Sequence, residues 1–491
     1  MVFPEAITVK RYLYLLILTG CAVGPNYKAP ENKLSDAWSA SEVATTQNAP
    51  VLRWWELFED PLLNKYITLA SSQNNDVLVA MSRILQARAL RQITASSFFP
   101  QVGADVNATR TYFSKNGPIF AIGPSVGEVP GTVSPGTGLP FDLQVPQTQN
   151  LYNILIDASW EIDVFGKTRR MVEAAGALVD RTIDEKNDIL ISVMAEVARN
   201  YIELRSSQEK ARLIQENIAL LSQKATLVQL QFKVGYVSRL DDEQILATLA
   251  EERALLPQIE AEIHRSIYML SVLIGTIPET LEEELIIPQP LPKIPETIAV
   301  GLRSDLLRRR PDVRRAERDL AAATANIGVA IASFFPTFTL LGDGGLQSLS
   351  LKNLFTMGSK TWALAGDITM PIFQGGKLVA NLRAKRAETT AAAYTYQKTV
   401  LEALEEAEST IVAYSEKLKT RKERQDAFQH YEKLTALSHE RKLRGLISLV
   451  NVLDVERQQN RAEQEVLNSS TGALLDAILL YKVLGGGWEV I

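Results

Sequence analysis

Cysteine occurs once and histidine three times in the 491 residues. A disulfide framework needs pairs, and a Cys/His metal centre needs a cluster of ligands, so neither is available. There is no basic excess: 52 Lys and Arg face 57 Asp and Glu, a formal net charge of −5. That balance excludes a general nucleic-acid binder, which draws on a positive surface. Mean hydropathy is −0.02, far from that of a chain built of membrane-spanning helices. One uncharged stretch, 320–342, holds Asn326, Pro336 and many Ala, Ser and Thr, and reads as a helix end, an interfacial Phe-Phe-Pro and a strand. No enzyme site is found either. His430 and His439 fall on opposite faces of one helix, His264 lies on another, and Gly485-Gly486-Gly487 has no helix after it to cradle a phosphate. The Arg-rich run from Arg303 to Arg318 is interspersed with Asp305, Asp312, Glu317 and Asp319, as in a solvated helix start. What is present is an ordinary folded composition, 46% hydrophobic and 22% charged.

The N-terminus has a secretory pattern. Lys10-Arg11 precede an uncharged stretch, Tyr12 to Gly20, too short to span a bilayer, and then comes Cys21. Leu18-Thr19-Gly20-Cys21 resembles a bacterial lipobox, in which the Cys carries the lipid of the mature chain. The plainer alternative is a non-lipidated signal peptide that contains a Cys. On the lipobox reading, 1–20 is a signal peptide and Cys21 bears a covalent lipid, with no other cofactor expected. Ala22, where an Asp would signal retention, points to the outer membrane by resemblance to the usual sorting rule.

The rest of the chain reads as a duplicated unit. Residues 76–100 and 312–336 share nine residues of 25 without gaps, 236 positions apart. Phe232 to Ser238 echoes Lys442 to Ser448 at an offset of 210. The missing 26 positions predict an enlarged loop in the first half, within the Gly-, Pro-, Ser- and Thr-rich stretch 114–150.

Each half alternates two periods. Ala211, Ile214, Ile218, Leu221, Ala225, Val228 and Phe232 are spaced three and four apart, a coiled-coil seam. The pattern predicts one helix from 166 to 232, about 100 Å at about 1.5 Å per residue. A return helix carries Ile245, Leu249, Leu256, Ile259, Ile263, Leu270 and Ile274, with a kink expected at Pro257. The second half predicts a long helix over about 377–443 and its return over about 448–484. Asp241, Asp242 and Glu243 after Ser238 fit a helix N-terminus. Strand periods flank the loops, at about 101–113, 151–165, 337–347 and 361–373. Tyr152, Ile154, Ile156, Ala158, Trp160, Ile162 and Val164 alternate with polar residues, Leu155 excepted. That is the weak signature of membrane barrel strands, although a sheet packed on a soluble core alternates in the same way. The lipoprotein signal favours the membrane.

Four strands cannot close a membrane barrel, because about eight are needed. Open edges in lipid would leave backbone groups unpaired. Two copies give eight strands and a filled interior; three give twelve and room for a lumen, so a trimer is expected.

At this point the residues resemble a family. Gly20-Cys21-Ala22-Val23-Gly24-Pro25-Asn26-Tyr27, Trp54 to Leu62, Arg309-Arg310-Pro311-Asp312-Val313-Arg314, both Phe-Phe-Pro elements, Phe373-Gln374-Gly375-Gly376 and Leu480 to Trp488 are similar to TolC-like outer-membrane factors. The likeness is to their lipoprotein branch, which serves resistance-nodulation-division (RND) efflux systems. It implies a mixed α and β membrane protein. Its trimeric 12-stranded outer-membrane β-barrel, four strands per chain, would continue as a long periplasmic α-helical coiled-coil barrel, with two repeats per chain. The division would be an N-terminal equatorial segment 21–60, a first repeat 61–275, a Pro-rich equatorial connector 276–303, a second repeat 304–484 and a tail 485–491. The function implied is the exit duct of a tripartite pump in the Gram-negative outer membrane, working with a periplasmic membrane-fusion adaptor and an inner-membrane RND-type pump. Gly235, Ser238, Gly445 and Ser448 would form adaptor-docking tips, although a Gly helix end and a Ser cap have the same pattern. Asp454 matches a gate acid of the family, and Asn451 holds the other acid position. Asp157, Glu161, Asp163 and Asp367 would line the lumen if the apolar alternation faces lipid, and an acidic lumen prefers cations. A conduit for type I protein secretion shares this pattern, and a non-conducting lipid-anchored coiled-coil scaffold is a further alternative.

Overall fold

The computed structural model describes residues 22–30, 38, 45–46, 51–114, 116 and 147–490. Cys21, the signal segment before it and most of the 114–150 loop lie outside the described residues. The chain is mostly helical, with one four-stranded sheet. It divides into two compact units, each assembled from segments of both halves. Among the described residues, no helix is long and apolar enough to cross a membrane.

The elements run in order β1 (Thr45–Thr46), α1 (Pro61–Gln73), α2 (Asn75–Ser96), β2 (Gln101–Tyr112), β3 (Thr148–Ile162), α3 (Lys167–Lys233), α4 (Arg239–Leu273), α5 (Glu282–Leu285), β4 (Ile298–Ala299), α6 (Arg303–Arg309), α7 (Pro311–Ala332), β5 (Thr337–Ser348), β6 (Lys360–Thr369), α8 (Lys377–Leu443) and α9 (Leu449–Val483). Three helix pairs match in length between the two halves. Both α2 and α7 have 22 residues, α3 and α8 have 67, and α4 and α9 have 35. α4 continues through Pro257.

The first unit gathers 91–173 and 325–386 with the chain start. Its sheet is antiparallel in the order β2-β3-β5-β6, so β2 and β6 are its edges. Two strands depart from the expected bounds. β3 begins at Thr148 and stops at Ile162, because the chain turns at Val164 onto the left-handed Gly166. β6 stops at Thr369, because Pro371 has no amide to give a ladder. At Gly345 a Cβ would lie 2.0 Å from the Ile154 carbonyl oxygen, so only glycine allows β5 this close to β3. At the end of the sheet that carries the Phe-Phe-Pro elements, Phe165 stacks on Phe335 at 4.6 Å and the Trp160 indole donates to the Phe98 carbonyl at 2.9 Å. The segment just after Cys21 is fastened here. The Val23 amide donates to the Phe165 carbonyl, and the buried Arg170 guanidinium donates to the carbonyls of Val23 and Gly24 and to Asn26 Oδ1.

The second unit holds the remaining helices. Its core gathers Trp54, Phe58, Tyr66, Tyr201, Met194 and Tyr481, with Trp54 stacked on Tyr481 at 5.4 Å. The 276–303 connector is tied into this core. Arg205 is 0% exposed, lies 4.9 Å from the Tyr201 ring and donates to the Ile287 carbonyl at 3.0 Å. Gln208 donates to the Leu285 carbonyl at 2.7 Å. The tail is pinned as well: Trp488 donates to the Arg309 carbonyl, and Glu489 pairs with the Arg309 guanidinium.

Candidate functional site: hairpin tips and a polar sheet face

The expected seam of α3 packs as its spacing requires. Ile214, Leu221, Ala225 and Val228 are buried, and Leu221, Ala225 and Val228 cluster with Ile245 and Leu249 of α4. Phe232, the last seam residue, is exposed where the helix ends.

Both hairpins turn in the same way. Gly235 and Gly445 adopt φ of +80° and +70°, left-handed values that let each long helix stop with its last carbonyls bonded. The Tyr236 amide donates to Gln231, and the Leu446 amide donates to Arg441. Three residues on, Ser238 and Ser448 cap the return helices by accepting from the amides of Asp241 and Asn451, both at 3.3 Å.

The caps differ in their third residue. The Asp241 carboxylate accepts from the Ser238 amide at 2.9 Å and hydroxyl at 2.6 Å, which closes a capping box. Those bonds hold its carboxyl below the usual carboxylate range. The Asn451 side chain accepts from the Ser448 hydroxyl at 3.0 Å. Asn451 is thus a neutral copy of Asp241 and is engaged in the cap, at the position where the resemblance places the family's other gate acid.

Asp454 lies one turn further along α9. Its carboxylate pairs with the ammonium of Lys224 on α3. This begins a polar seam between α3 and α9. Asn460 donates to the Leu213 carbonyl at 3.1 Å, Arg212 pairs with Glu463 at 2.8 Å, and the Thr471 hydroxyl donates to Ser206 at 2.8 Å. The return helix of the second hairpin is therefore bonded side by side to the outgoing helix of the first.

The sheet separates two chemistries. The register puts Val102, Val106, Ile154, Ile156, Trp160, Leu340, Trp362, Leu364 and Ile368 on one face. The other face carries Asp105, Asn107, Asp157, Glu161, Thr339, Asp343 and Asp367, with Leu155 and Leu341 among them. Asp157 and Asp343 are directly opposed. Three of the four expected lining acids thus share a face. Asp163 is the exception: it lies beyond β3, accepts from the amides of Thr168 and Arg169, and pairs with the Arg169 guanidinium. It caps α3, because the strand has already turned. Glu161 pairs with Lys167 at 3.3 Å.

Sequence reasoning missed three residues. Asp105 and Asp343 follow from the alternation of β2 and β5 once it is read through the polar positions. Lys224 is a charge beside the Leu221–Ala225–Val228 seam, and only the packing of α3 on α9 gives it a partner.

A sheet with one apolar and one polar face, joined to long paired helices, defines a class: outer-membrane channels of the TolC-like kind. The outer membrane efflux protein family matches residues 66–276 and 302–486, and the chain belongs to that family. The toluene efflux pump outer membrane protein TtgF of Pseudomonas putida is 29% identical over 489 residues, covering 96% of this chain and 95% of the relative. The antibiotic efflux pump outer membrane protein ArpC of the same species is 29% identical over 483 residues, with 96% and 94% covered. The solved outer-membrane channel OprN superposes with a TM-score of 0.82 at 28% identity, covering 96% of this chain and all of that one. The chain is accordingly an outer-membrane efflux channel, as expected from its sequence, and its family is not one of enzymes.

Proposed function

We propose that three copies of the chain form the exit duct of a tripartite pump, with twelve strands as the barrel and two repeated hairpins per chain as a periplasmic tube. The sheet carries this reading. Its two edge strands have no further partner among the described residues, and Val106, Ile156, Trp362 and Leu364 are exposed on one face. In lipid an unpaired edge costs several kcal/mol per group, and neighbouring copies would pair it. The equal helix lengths of the two halves support the repeat. Cys21 bears the lipid, next to the segment that Arg170 holds at the sheet. Asp105, Asp157, Asp343 and Asp367 line the lumen and favour cations. The cargo class is small drugs and apolar solvents, by analogy with the named pumps of the relatives. A periplasmic adaptor docks on the tips at Gly235, Ser238, Gly445 and Ser448, and an RND-type inner-membrane pump supplies the energy.

The gate is the α3–α9 seam at its tip end, with Asp454 as its acid and Asn451 as part of the turn that carries it. In planar bilayers the purified chain conducts, and Asp454→Ala raises its open probability severalfold. Conductance unchanged by this substitution counts against the gate, and a complete lack of current counts against the duct.

A further inference from the structure

The apolar face of the sheet carries charge at one end only. The ladder places Arg110 of β2 and Lys360 of β6 on the same face as Val106, Ile154, Trp362 and Leu364. Among the described residues they are the only charged side chains of the four strands on that face, and every acid of the strands lies on the other. Both stand at the end away from the Phe-Phe-Pro elements, where β2 finishes and β6 begins. Both are exposed, and neither has a side-chain bond among the described residues. Tyr112 and Tyr152 share the face beside Arg110, whereas Trp160 stands on it at the opposite end. The β5–β6 connection adds exposed Leu351, Phe355 and Met357, with Lys352 and no acid from 349 to 360. Arg110 and Lys360 also sit on the two edge strands. When copies close a barrel, β6 of one meets β2 of the next, and the two cations come to the same end of one seam.

We propose that each seam between neighbouring copies binds one phosphorylated lipid headgroup of the outer leaflet, held between Lys360 of one copy and Arg110 of the next. This rests on the barrel reading given above. In that reading the helix-bearing end of the sheet is periplasmic. The Arg110–Lys360 end then lies among the outer headgroups, at the level that Tyr112 and Tyr152 mark as interface. Two cations brought together across a strand pair repel each other. No acid on this face offsets them, and a phosphate group does. Arg110 gives it two parallel N–H bonds, and Lys360 supplies a point charge. The acyl chains of the same molecule lie along Val106, Trp362 and Leu364, so one ligand satisfies both the charged and the apolar part of the site. Neither copy holds the site alone. Lipid binding and assembly are therefore coupled, and the lipid favours the closed oligomer.

The test uses the full chain purified in a nonionic detergent, with lipid A and the same lipid stripped of its phosphates as probes. Native mass spectrometry counts the lipids retained. The phosphorylated lipid is expected to bind about thirtyfold tighter, about fivefold from each cation, and to fill one site per seam. It should also raise the temperature at which the trimer dissociates. Arg110→Gln and Lys360→Gln each remove about fivefold of the preference, and together they abolish it. Lys352→Gln, which lies off the ladder, leaves it unchanged. Equal retention of the two lipids by an intact trimer overturns the headgroup site and leaves the barrel standing. A chain that stays monomeric overturns the barrel reading and the seam with it. Inorganic phosphate that stabilises the trimer as well as lipid A does assigns the two cations to a free anion and overturns the lipid.

Discussion

The two hairpin tips make a controlled comparison within one chain. Helices of 67 and 35 residues meet at each, through a left-handed glycine and a serine cap. The backbone is repeated and the chemistry is not. The first tip closes its cap with the Asp241 carboxylate, and the second uses the neutral Asn451. Only the second return helix has an acid, Asp454, tied to Lys224 of the other hairpin; the matching first-half position is Gln244. A turn is a local solution that duplication copies intact. The residues around it are free to diverge, and here they differ in charge, with Asp241 against Asn451 and Gln244 against Asp454.

The largest effect is expected from the shared feature. Gly235→Ala or Gly445→Ala meets no neighbouring atom within 4 Å, so each costs only the left-handed strain of about 1–2 kcal/mol. Hydrogen exchange should show local opening of each hairpin rising by a factor of about five to thirty at the substituted tip alone. A rise at both tips would mean that they open together. Next come the caps. Ser238→Ala and Ser448→Ala each lose about 1 kcal/mol of helix start, and the first loses more because its third residue is charged. Equal losses by the same measurement would erase the difference between Asp241 and Asn451.

A smaller effect falls on the seam. Asp454 is partly exposed, so its pair with Lys224 contributes about 0.5–1 kcal/mol after solvent screening. Lys224→Met should therefore raise the open probability in bilayers about two- to fivefold, matching Asp454→Asn. An effect of one variant without the other would break the pairing.

The smallest effect is one of pH. Asp241 has its carboxyl lowered by bonds that exist only in the folded cap. Its contribution is present above the ordinary carboxylate range and is lost as pH falls through the lowered value. Exchange protection at 238–242 should decline in acid, whereas protection at 448–452, where Asn451 does not titrate, should not. Parallel decline at both tips would contradict the assignment.

Much of this was legible in the residues. The heptad spacing from Ala211 to Phe232 located α3 and its buried side, because a seam is local and periodic. Alternation located all four strands and the sheet face of Asp157, Glu161 and Asp367. The errors fall where chain direction changes. Val164 and Asp163 continue the alternation of β3, but the turn at Gly166 takes them out of the sheet and makes Asp163 a cap. The bond of Asn451 to Ser448 depends on cap geometry that spacing alone does not carry. Lys224 had no visible partner because Asp454 is 230 residues away. The interleaving of the two units is equally non-local, since each half contributes strands to one and helices to the other.

The central claim is that the second return helix, held to the first hairpin near its tip, is the moving part of an outer-membrane duct. Lys224→Cys with Asp454→Cys tests it directly, because Cys21 is the chain's lone native cysteine. A short reducible bifunctional thiol reagent linking the two positions should close the channel in planar bilayers, and reduction should restore the current. Full conductance through protein shown to be cross-linked would contradict the account.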